Sequence, residues 1–154
     1  RMHEPWWRAP EEMNTTTATS IEDTVLLDEK VDIYALGNVL YHILTTHSPR
    51  GKMKRERMEL VRPMVAQGIV PELPEPYASG TDPVYTAFRN AMALCFAKDP
   101  KNRGSAKEVA NLLTHAVVVI TAVHKEEDKQ AAVDEAAADE NTDDDQEGSE
   151  EEAE

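Results

Sequence analysis

Between Lys30 and Leu44 the apolar residues Val31, Ile33, Ala35, Leu36, Val39, Leu40, Ile43 and Leu44 cover most of a helical circumference. A helix that is apolar all round belongs in a core, so this stretch predicts a central helix with the rest of the fold wrapped around it. Asp32 is its one carboxylate. Either it sits in the first turn because the positive end of the helix favours an anion there by about 0.3–1 kcal/mol, or backbone donors of another segment hold it.

The charge of the chain is confined to one end. Of 30 acidic and 16 basic residues, 15 acidic and one basic lie in residues 126–154, which leaves fifteen of each in residues 1–125. An acidic block without aromatics cannot bury enough apolar surface to order itself. The expectation is therefore one globular unit over 1–125, within the size of a single modest core, and a disordered acidic tail over 126–154.

Cys95 is the only cysteine, so neither a disulfide framework nor a four-ligand zinc site is expected, and a reducing, intracellular compartment, the cytoplasm, fits. The five histidines are scattered without metal-ligand spacing, so no metal site is expected. The apolar run from Ala116 to Val123 is shorter than the roughly 20 residues a membrane span needs, and no span is expected. The chain begins with Arg in mid-motif, as a piece of a longer product would.

Residues 13–25 are hydroxyl-rich and aperiodic and read as loop. Residues 45–57 form a basic connector into a short helix that Pro63 starts or kinks and that ends near Gly68. The prolines at 71, 74 and 76 keep 69–80 extended, and Asp82-Pro83 supplies a cap and a first helical position for a helix to about Ala97. Ser105 and Glu108 have capping-box spacing for a last helix with Ala106, Val109, Leu112, Leu113 and Ala116 inward; the β-branched run from Val117 weakens it beyond that point. No strand is expected.

Trp7-Arg8-Ala9-Pro10-Glu11 and Ala97-Lys98-Asp99-Pro100-Lys101-Asn102-Arg103 flank the apolar stretch in order. By itself Ala-Pro-Glu is a helix start with Pro at its first position. Together with Asp32-Ile33-Tyr34-Ala35-Leu36-Gly37 and Met92 to Pro100, these motifs resemble the back half of a protein kinase domain, closest to the tyrosine-kinase-like group, over about residues 5–116.

That resemblance implies a mainly α fold, the helical C-lobe portion of the kinase fold. It implies an ion pair between Glu11 and Arg103 beneath the substrate-binding loop, Asp32 and Gly37 supporting the catalytic loop, and Val39 and Ile43 as the apolar base of a spine. Pro5, Trp6 and Trp7 would shape the substrate groove. The intact parent would bind ATP and Mg²⁺ and phosphorylate a protein substrate, and this chain would dock on the missing N-lobe and catalytic loop.

The chain itself carries no phosphate-covering loop, nucleotide lysine, catalytic Asp motif or metal-binding motif, so no catalytic residue is expected in it. Three departures from the family pattern stand out: Glu4 where Thr or Pro is usual, Tyr34 where Trp is common, and Gly104 in place of a proline. Glu4 leaves open a pseudokinase or scaffold interaction module. The basic residues Arg50, Lys52, Lys54, Arg55 and Arg57 lack interleaved aromatics, so they read as a solvated loop and not as a nucleic-acid site.

Overall fold

The computed structural model describes residues 5–14, 28–52 and 54–142, and the elements, contacts and cavities that follow are those of these residues. Five α-helices follow one another: α1 (Pro10–Asn14), α2 (Lys30–Thr45), α3 (Met58–Ala66), α4 (Pro83–Cys95) and α5 (Ala106–Thr142). Short 3-10 turns over Arg55–Arg57 and Pro100–Asn102 lead into α3 and out of α4. There is no strand among the described residues.

Helix α2 packs along α4, and α1 along α3. The main core gathers Ile33, Tyr34, Leu40 and Tyr41 of α2, Ala91, Met92 and Cys95 of α4 with Phe96 after it, and Val109 of α5. A smaller cluster holds Trp6, Met13, Val61 and Val65. Gly37 sets how closely α2 approaches α4. A Cβ there would stand 2.8 Å from Cys95 Cβ and 2.8 Å from Phe96 Cε1, so any side chain would push the pair apart.

The helix ends follow local chemistry. Pro10 opens α1, and Glu12 accepts from the backbone N–H of Ala9 at 2.7 Å. Asp82 caps α4 by accepting from Val84 N–H at 2.7 Å, with Pro83 in the first position. Asp99 accepts from Lys101 N–H at 3.0 Å. At α5, Glu108 takes hydrogen bonds from the Ser105 N–H and hydroxyl at 2.8 and 2.7 Å, and Glu108 N–H donates to Ser105 Oγ at 3.2 Å. The capping box is closed on both sides.

Three expectations change. Pro63 lies inside α3 and does not start it; the Arg55–Arg57 turn does. Burial around α2 is not complete: Val39 and Ile43 remain 44% and 60% exposed, and Asp32 lies on the surface in the first turn. Residues 1–116 and 117–154 form two compact units. Finally, α5 continues to Thr142, well past the point where disorder was expected to begin.

The reason for the last difference is composition. Residues 125–142 are rich in Ala and Glu, which lose little on entering a helix, and pairs such as Gln130 with Asp134 at 2.7 Å support one another four residues apart. Residues 143–154 of the acidic tail lie outside the described residues. Val117, Val118, Val119, Val123 and Val133 are exposed in the second unit. By length and composition alone the helix within Pro100–Glu135 is apolar enough to cross a membrane, although Val109 on it is part of the main core.

Candidate functional site

Arg103 follows the Pro100–Asn102 turn in an extended conformation, which aims its side chain back into the fold. Its Nη1 donates to Glu11 Oε1 at 2.7 Å and its Nη2 to Glu11 Oε2 at 3.1 Å, a bidentate pair across 92 residues of sequence. The Arg103 side chain is wholly buried and that of Glu11 is 9% exposed. Arg103 Nε and Nη2 also donate to Ala97 O at 3.1 and 3.0 Å, and Nη1 to Lys30 O. With its donors all used, the guanidinium meets the condition under which a buried charge is tolerated.

Lys30 returns the contact. Its Nζ donates to Arg103 O at 2.8 Å and Gly104 O at 3.1 Å, which staples the first turn of α2 to the loop before α5. Gly104 N–H donates in turn to Leu94 O at 2.8 Å. A proline at 104 has no N–H to give, so the glycine at this position adds a hydrogen bond between α4 and the loop and tightens the entry to α5.

Beside the pair lies Tyr34, fully buried. The Arg103 guanidinium sits 5.1 Å from its ring centroid, and Phe96 packs edge-on at 5.1 Å. On the other side the Tyr34 hydroxyl accepts from Arg50 Nη2 at 2.9 Å. One ring thus separates two buried guanidiniums, facing one with its π surface and the other with its oxygen.

Arg50 has 7% exposure and is not part of a solvated loop. No carboxylate pairs with it among the described residues. It donates instead to neutral oxygens: Asn38 Oδ1 at 3.3 Å, Trp6 O at 3.4 Å and Ile69 O at 3.0 Å, besides Tyr34. Asn38, wholly buried, donates its amide to Trp7 O at 3.3 Å and Tyr34 O at 3.4 Å. Five basic residues in eight gave the sequence no sign of which one turns inward. The buried asparagine in an apolar helix was the available signal, since such an amide requires polar partners.

The structure thus brings Glu11 and Arg103 together, sets Gly37 in the α2–α4 contact, and places Asp32, Val39 and Ile43 on α2 with exposed side chains. Among the described residues no group donates to the Asp32 side chain. Of the residues expected to shape a substrate groove, Pro5 and Trp6 are buried, Trp6 against Met13, Val61 and Val65. Only Trp7 presents surface, with its ring edge-on to His42 at 6.3 Å. Glu4 lies outside the described residues.

Burial pushes the Cys95 thiol up to about 11, which the nearby Arg103 charge only partly offsets, so this thiol is protonated and inert at neutral pH. Burial also raises the Tyr41 phenol, whose O–H donates to Glu72 O at 3.0 Å. No three His, Cys, Asp or Glu side chains converge to hold a metal among the described residues. No protein-family model matches the chain.

Proposed function

We propose that this chain is the C-terminal part of a protein kinase domain of tyrosine-kinase-like type, whose parent transfers the ATP γ-phosphoryl group to a protein hydroxyl. The observation that carries the reading is the buried bidentate Glu11–Arg103 pair, which joins the two motifs whose resemblance to a kinase implies such a pair. The chain's own share of the work is mechanical. It fixes the end of the substrate-binding segment against the helical body, and the nucleotide, the metal and the accepting base belong to residues it lacks.

A second feature supports the same reading. Asp32, Val39 and Ile43, for which the resemblance implies contacts with a catalytic loop and a spine, are residues of the core helix left open to solvent. In that reading a further segment covers them. Glu4 keeps one alternative in play, a pseudokinase or scaffold that retains the lobe for docking.

Reading the coding sequence upstream, then assaying the extended product with γ-labelled ATP and a protein substrate, tests both. A nucleotide lysine, a His-Arg-Asp-type loop and an Asp-Phe-Gly-type motif with phosphoryl transfer are expected. Their loss from an otherwise kinase-like upstream sequence favours the scaffold, and an unrelated upstream sequence sinks the kinase reading.

A further inference from the structure

Between the end of α2, helix α3 and the extended segment 69–74 lies an open cleft of about 680 Å³, within the first unit and away from the Glu11–Arg103 pair. One wall is apolar: Met64 of α3 with Ile69, Val70 and Leu73. Met64, Ile69 and Val70 are 39%, 44% and 48% exposed, so three sizeable aliphatic side chains meet water on adjoining surfaces. Leu60, one turn before Met64 and 65% exposed, prolongs that surface along the helix.

The rim carries positive charge. Arg50 and Arg57 both line the cleft. Arg57 is exposed, its guanidinium resting over Gly51, where a Cβ would come 2.7 Å from Nη1 and the backbone φ is +74°. No described residue pairs with it. Two polar atoms of lining residues, Arg50 Nε and Ser48 Oγ, are buried without a hydrogen-bond partner among the described residues.

The surroundings act in the same direction. Residues 50–62 hold six basic and two acidic side chains, in a unit that otherwise has no excess of positive charge. Glu72, also on the cleft, is the one carboxylate among its lining residues, opposed by Arg50 and Arg57. An apolar wall beside the exposed guanidinium of Arg57 suits a ligand with an aliphatic group and a carboxylate a few atoms apart.

We infer that this cleft is a docking site for an extended acidic peptide segment of a partner protein, with an aliphatic side chain set against Met64, Ile69 and Val70 and a neighbouring carboxylate at Arg57. The site rests on the cleft alone and stands or falls separately from the kinase reading.

A phage library of random dodecapeptides, selected on the full 154-residue chain and counter-selected on its Arg57→Glu variant, tests the inference. Both Arg57 and Met64 are on the surface, so neither substitution threatens the core, and circular dichroism checks this. Recovered peptides are expected to pair Asp or Glu with Leu, Ile, Met or Val. A fluorescein-labelled representative should weaken about tenfold or more with Arg57→Glu and again with Met64→Ser, and weaken as salt rises.

Three results overturn the inference. One is a library that yields nothing retained over the variant. Another is a peptide whose binding ignores Met64→Ser, which leaves only unspecific charge attraction. The last is a labelled thymidine oligonucleotide that binds where the peptides do not, which assigns the basic surface to nucleic acid.

Discussion

Two arginines are buried on opposite sides of Tyr34, and the fold treats them differently. Arg103 meets a carboxylate in a bidentate pair and uses its remaining donors on backbone carbonyls. Arg50 meets only neutral oxygens and leaves Nε unsatisfied. The first is a closed arrangement that locks two distant parts of the chain. The second is an open one, next to a cleft, and its charge lacks compensation within the described residues. Arg103 is held by an ion pair and Arg50 by hydrogen bonds to neutral groups alone.

The sharpest way to break that contrast is to remove each cation with a side chain of similar length. Arg103→Met leaves Glu11 charged and buried, and should cost about 3–5 kcal/mol in urea unfolding of the full chain. Arg50→Met leaves only neutral acceptors and should cost less, about 1–3 kcal/mol. Equal losses would erase the distinction between the two sites.

Tyr34 offers a finer test. Its hydroxyl accepts from Arg50, and a phenyl ring in its place has no oxygen to offer. Tyr34→Phe should cost about 1 kcal/mol, the scale of one hydrogen bond, measured in the same unfolding series. Combined with Arg50→Met, that loss should disappear, because the hydroxyl then has no donor to lose.

The smallest effect lies outside both arginine sites, where an exposed pair provides a baseline. The Ser105 hydrogen bonds hold the Glu108 carboxyl below its ordinary value of 4.5. A depressed folded-state value means that this contribution is present above 4.5 and is lost as pH falls through the lowered value. Thermal unfolding of the wild type should therefore weaken slightly more than that of Glu108→Gln as the solution is acidified through this range. An identical acid response in the two proteins would show the box to be thermodynamically silent.

What the sequence made legible follows the same division. Proline, capping residues and apolar periodicity placed α2, α4 and the start of α5, because those signals are local. The Glu11–Arg103 pair was reachable only through resemblance of ordered motifs, since 92 residues separate the partners. The roles of Arg50, Asn38 and Lys30 were not legible: each depends on where a neutral carbonyl or hydroxyl from another segment comes to rest.

Departures from the expected motif are legible only in pairs. Tyr34 in place of Trp makes sense once Arg50 needs an acceptor, and Gly104 in place of Pro once Leu94 O needs a donor. The run of α5 beyond Val117 was missed for a different reason. Its β-branched residues lower helix propensity, but the Ala-rich and Glu-rich stretch that follows restores it, and a short window weighs only the first.

The most direct test of the Glu11–Arg103 pair as a clamp between two distant parts of the chain is a double-mutant cycle on Glu11→Gln and Arg103→Met, read by urea unfolding of the full chain. Each single change should be strongly destabilising, and the double variant should be more stable than their sum by about 2–3 kcal/mol, since the second change removes a charge the first left stranded. Losses that add to within about 0.5 kcal/mol would mean that the two groups do not depend on one another, and the clamp would have to be abandoned.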